Sequence, residues 1–230
     1  MISNDSIKKD TETKSFHELI STPFRNEINA LCWQRQLEGD FSEIVKKIPL
    51  RENIVVISKA DLLALDLTEA GQLARDIIIN DISLLEAEGA APILNLISAY
   101  PSEEDDSFFS TDVYSYHVDS SPVPTDTFLC TYYGECSEIL ANAEAVQKIM
   151  VPKIRDGLMK IYDISEDEFE DFCNEHFFDL HYQPKPEAEP LKLGLGNMWR
   201  LAVKHPGSEV LPCIHRAPKE NAELRLLLIC

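Results

Sequence analysis

Apolar and polar residues alternate along this chain with two different periods, and the change of period divides it. From Phe16 to about Lys47 the apolar residues Leu19, Ile20, Phe24, Ile28, Leu31, Leu37, Ile44 and Val45 suggest helices, broken near Pro23 and Gly39. Asn53 to Ser58 is a short β-branched run that reads as a strand. Thr68 to Glu88 has helical periodicity and good helix formers, stopping at Gly89. Beyond that point strands dominate: 93–99, 113–119, 127–133, 199–204, 210–216 and 224–230 all carry strand-like runs. A helical insertion over about residues 137–178 interrupts them. Its first part, SEILANAEAVQKIM, is amphipathic, and its second opens on Ser165 and Glu168 in a capping-box pattern. The Pro-rich stretch from Gln183 to Pro190 closes it.

Helices first and mostly antiparallel strands afterwards predict an α+β fold whose sheet is the functional core. The 230 residues suffice for one domain with a sizeable core. The expected organisation is a polar, disordered tip over 1–15, a mainly helical part over 16–90 and a β core over 91–230 that carries the insert.

Composition adds exclusions. Forty acidic residues against 21 basic ones give a formal net charge of −19, which repels phosphate backbones and anionic lipids, so no nucleic-acid partner is expected. No apolar run is long enough to span a bilayer and the N-terminus has no apolar signal core, so a cytoplasmic protein without membrane contact is expected. Cys32, Cys130, Cys136, Cys173, Cys213 and Cys230 form no C-x-x-C pair and sit in apolar segments, as free buried thiols do. No G-x-S-x-G elbow, H-E-x-x-H helix or P-loop pattern is present.

One constellation carries chemistry. His117 and Asp119 close a strand-like run, and side chains at i and i+2 of a strand share a face. A nitrogen and a carboxylate oxygen suit Fe(II), Mn(II) or Co(II) better than a soft metal. A second histidine, His215, completes a two-His-one-carboxylate set. Arg225 lies ten positions further on; with a hairpin centred near Glu220 the two would stand opposite each other on one face. A buried arginine there needs a carboxylate, which a bidentate ligand acid supplies.

The pattern His117-Val-Asp119, then distal His215, then Arg225, resembles that of the Fe(II)/2-oxoglutarate-dependent oxygenases. Gly196–Lys204 and His215-Arg-Ala-Pro218 look like the penultimate strands of that superfamily. The run His117-Val-Asp119 followed by Phe128-Leu-Cys-Thr-Tyr-Tyr-Gly134 is also similar to an uncharacterised bacterial family with His-x-Asp, C-T-Y-x-G and a terminal His-Arg-Ser-Pro, where this chain has Ala217 in place of the serine. The likeness covers roughly residues 93–230. It implies a double-stranded β-helix, cupin-like in form, with Fe(II) on His117, Asp119 and His215. It also implies 2-oxoglutarate paired to Arg225, with Thr131 or Tyr133 as hydrogen-bond donors. The implied reaction is hydroxylation of a small molecule, amino acid or peptide, with release of succinate and CO₂; the Asp119 ligand favours hydroxylation over halogenation.

Alternatives stay open at this level. His205 competes with His215 as distal ligand, and Arg216 and Lys204 compete with Arg225 for a carboxylate. His176 and His181 read as surface residues, and Trp33 and Trp199 as core. A non-catalytic metal- or ligand-binding protein, or an iron oxygenase that does not use 2-oxoglutarate, would carry the same pattern.

Overall fold

The longest helix forms where the pattern is cleanest. In the computed structural model, which describes residues 11–101, 110–219, 221 and 223–230, Thr68 accepts from the Gly71 amide and starts a helix over Glu69–Ala87 (α4). Its Ala74, Ile78, Ile82 and Leu85 fall on one face and are buried. Among the described residues three shorter helices precede it: α1 (Phe16–Ser21), α2 (Phe41–Lys47) and α3 (Lys59–Ala64), each N-capped by a serine or aspartate side chain.

Among the described residues thirteen strands build two sheets. They are β1 (Glu12–Thr13), β2 (Ala30–Trp33), β3 (Ile54–Ile57), β4 (Ile93–Ile97), β5 (Tyr116–His117), β6 (Asp126–Tyr133) and β7 (Glu138–Leu140), then β8 (Ala145–Gln147), β9 (His181–Pro184), β10 (Leu191–Lys192), β11 (Met198–Ala202), β12 (Ile214–Arg216) and β13 (Arg225–Ile229). The seven-stranded sheet has the order β1-β2-β11-β6-β13-β4-β3, and the six-stranded sheet β10-β7-β12-β5-β9-β8. All pairings are antiparallel except β1 with β2. From β4 to β7, and again from β10 to β13, the chain passes from one sheet to the other at each strand. This is a mixed α/β architecture with two largely antiparallel sheets at its centre.

Strand alternation assigns the layers. Leu94, Leu96, Cys130, Tyr132, Leu226 and Leu228 pack against α1–α4. Ile97, Leu129, Trp199, Leu201 and Leu227 face the other way, into a core shared with Ile139, Leu191 and Cys213 near the second sheet. Buried on both faces, β13 reads as the unbroken apolar run Leu226–Ile229. The helices α5 (Pro152–Tyr162) and α6 (Phe169–Glu175) keep a small core of their own around Leu158, Phe169 and Cys173.

Several expectations shift. Residues 11–15 are not a loose tip: Thr13 is buried in β1, while residues 1–10 lie outside the described residues. Ala30–Trp33, expected to be helical, is a strand between β1 and β11. The helix ends at Ser21, the turn at Arg25–Ile28 with Asn26 at φ 56° separates it from the strand, and the all-apolar Ala-Leu-Cys run carries no period to distinguish the two forms. The amphipathic stretch after Ser137 is also not a helix. Ile139 and Leu140 point to opposite faces of β7, and both faces are covered. β5 is shorter than predicted because Asp112 Oδ1 captures the amides of Tyr114 and Ser115. β12 is shorter because Pro212 cannot donate and the Asn29 and Asn142 side chains take its carbonyl. All six cysteines are free. Among the described residues no helix is long and apolar enough to cross a membrane.

Candidate metal centre

The register of the second sheet sets the site. His215 on β12 stands opposite His117 on β5, and His117 stands opposite His181 on β9. The His117 and His215 rings come to 4.5 Å between centroids. Asp119 follows β5 on a loop tied to the end of β11, where the Lys204 amide donates to the Asp119 carbonyl and the Ser121 amide to the Lys204 carbonyl. The loop returns the carboxylate to the histidines: Asp119 Oδ2 is 3.7 Å from His215 Nε2. One ligand atom from each of His117, Asp119 and His215 lies within 4.8 Å of the others.

The partners of the three groups favour metal binding. His117 Nδ1 is 2.7 Å from the Ser115 carbonyl oxygen, and His215 Nδ1 is 3.2 Å from that of Cys213. A carbonyl only accepts, so each Nδ1 carries the proton and each Nε2 has a free lone pair. Burial, then the neighbouring His215, holds His117 down at about 4, so it is neutral at physiological pH. The Thr127 hydroxyl donates to Asp119 Oδ2 and orients the carboxylate.

The same face of β6 leads from Thr127 past Leu129 to Thr131, four residues or about 13 Å further along. There Arg225, at the start of β13 and only 5% exposed, donates from Nη2 to Thr131 Oγ1 at 3.1 Å and Ser137 Oγ at 2.8 Å, and from Nη1 to the Tyr100 hydroxyl at 3.3 Å. Its buried Nε has no partner among the described residues. No carboxylate among the described residues forms an ion pair with it. Burial pulls its pKa below the usual arginine value, and Tyr100 and Cys136 oppose this without overcoming it. Each of the three hydroxyls accepts from the guanidinium and keeps its own proton to donate elsewhere. Gly134 makes the turn possible: at φ 85° it passes so close to Leu224 that a Cβ would sit 2.4 Å from the Leu224 oxygen.

The structure brings His117, Asp119, His215, Thr131 and Arg225 into the space between the sheets. It does not bring Tyr133 there. A bulge between Leu226 and Leu227 turns both Tyr132 and Tyr133 toward the helices. His215 and Arg225 also do not face each other in a hairpin, because β12 and β13 belong to different sheets. His205 sits in the turn closed by Ser208, away from the group. Arg216 pairs with Glu138 and Lys204 with Asp179, which removes both as competitors for a ligand carboxylate. Trp199 is core, donating to the Leu193 carbonyl. His176 is exposed and stacks on Phe172, as a surface residue should, but His181 is buried beside His117 with centroids 5.9 Å apart. Sequence does not single out Tyr100, Ser137 and Thr127, because an isolated hydroxyl side chain carries no motif. No family model, curated protein or solved structure matches the chain.

Proposed function

We propose that the protein is an Fe(II)- and 2-oxoglutarate-dependent oxygenase, a hydroxylase of a small molecule, amino acid or peptide. The observation that carries this reading is Arg225: a buried guanidinium that lacks a carboxylate among the described residues, ringed by hydroxyls, one strand face away from a two-His-one-carboxylate group. A buried arginine without a counter-charge is costly unless a ligand supplies one. Thr127, bonded to Asp119, and Thr131, bonded to Arg225, stand on one face of β6, which puts the two clusters along the same strand. The strand orders β4-β13-β6-β11 and β10-β7-β12-β5 support a double-stranded β-helix as the fold of this core.

The residues present fit the group. The donor set of two imidazoles and one carboxylate suits Fe(II) and leaves coordination positions open. When bound, iron with 2-oxoglutarate supplies oxygen activation coupled to decarboxylation. The chain's own part is preorganisation. Ser115 and Cys213 fix the histidine tautomers, Thr127 fixes Asp119, and Arg225 with Thr131, Ser137 and Tyr100 receives the far carboxylate.

The test is oxygen uptake and succinate formation by iron-loaded protein given 2-oxoglutarate, with His117→Ala as control. The reading predicts slow succinate release that is lost in the variant. Iron binding without any oxygen consumption would make the chain a binding protein instead.

A further inference from the structure

Against the face of β5 and β9 that carries Tyr116 and Tyr182, opposite the one that carries His117 and His181, a cavity of about 370 Å³ opens between Tyr114, Tyr116 and Tyr182 and the proline-rich segment after β9. Its charged lining is Lys148, Lys185 and Arg216, with no acidic residue among the described lining, in a chain where acidic residues outnumber basic ones 40 to 21. The three cations are held in place. Lys148 donates to the Ser115 hydroxyl at 2.8 Å and to the Ser110 carbonyl at 3.1 Å. Lys185 donates to the Ala143 carbonyl at 2.7 Å. Arg216 lies 4.3 Å over the Tyr116 ring and is paired with Glu138, which also accepts from the Tyr116 hydroxyl. Glu138 pairs with Arg216, Asp112 acts on Lys148, and Lys185 donates to a neutral carbonyl.

We propose that this cavity binds a small organic anion, a carboxylate or phosphate ester with a planar body. Lysines supply point charges for the anionic end, and tyrosine rings and prolines supply flat apolar walls for the body. The volume falls in the range of small-molecule sites. Ser115 joins the cavity to the metal centre: its hydroxyl accepts from Lys148, and its carbonyl accepts from His117 Nδ1. An occupant thus sits one residue from a metal-binding histidine, although the binding itself does not depend on iron.

Phenyl phosphate is the probe, added to full-length protein in EDTA and followed by saturation-transfer NMR, with benzyl alcohol as neutral control. Binding of phenyl phosphate alone, weakened by salt, is expected. Lys148→Met with Lys185→Met should weaken it at least about tenfold, and Arg225→Met should leave it unchanged. Lys185 is exposed, so Lys185→Met alone keeps the fold and should still weaken binding about threefold. No binding, equal binding of benzyl alcohol, indifference to both lysine variants, or loss in Arg225→Met would each overturn the proposal.

Discussion

Arg35 and Arg225 are both buried, and the molecule treats them in opposite ways. Arg35 uses every nitrogen. Its Nη1 and Nη2 reach Asp81 Oδ1 and Oδ2 at 2.7 and 2.9 Å, and its Nε donates to the Gly196 carbonyl at 2.9 Å. The guanidinium also lies 4.3 Å over the Trp33 ring, and Tyr132 donates to Asp81 at 2.7 Å. Burial, the largest single influence, would lower its pKa, but the hydrogen bond to Asp81 together with the charges of Cys130, Asp81 and Tyr132 outweighs it and the net shift is upward. At Arg225 burial wins, Nε is orphaned, and hydroxyls stand where a carboxylate would be. A closed pair clips α4 to the sheet; the open guanidinium is the feature on which the proposed binding of a ligand acid rests. The contrast between the two arginines is drawn without reference to any motif.

The largest expected effect lies at the closed pair. Asp81→Asn leaves the Arg35 charge buried and uncompensated, which costs about 3–5 kcal/mol and shows as a large drop in urea midpoint. Arg225→Met should leave that midpoint unchanged or raise it, while weakening 2-oxoglutarate binding by at least about tenfold in calorimetry, the lower end for breaking a buried charge contact. If both variants unfold alike, the distinction between the two arginines is lost.

Smaller changes sharpen it. Tyr132→Phe removes one hydrogen bond to Asp81 and should cost about 1 kcal/mol in the same denaturation. Tyr100→Phe should cost no stability and weaken 2-oxoglutarate a few-fold. A separate effect is on pH. His117 and His181 are held at about 4 and about 3, below the ordinary 6.5, chiefly by burial. Above 6.5 both are neutral folded or unfolded and contribute nothing. As pH falls from 6.5 toward 4 the unfolded chain takes up protons first, so metal-free protein loses stability across that window. His181→Leu should flatten the fall in thermal midpoint.

The triad was legible because two of its members obey the two-residue strand period and the third sits in a recognisable terminal run. His181 was not, because it leaves a helical insert and its strand pairing with β5 is long-range. Arg225 was found, but its setting was misread: a local hairpin was assumed where the connection after Arg216 carries the chain from one sheet to the other. β2 and β7 failed for a common reason, since strands covered on both faces lose the alternation that marks them.

The most direct test of the central claim is an anaerobic titration of the protein with Fe(II) and then 2-oxoglutarate, followed in the visible spectrum. The account predicts a weak metal-to-ligand charge-transfer band that needs both additions, disappears in Asp119→Ala and His215→Ala, and forms in Arg225→Met only at much higher 2-oxoglutarate. Tight iron binding with no band at any 2-oxoglutarate concentration would contradict it.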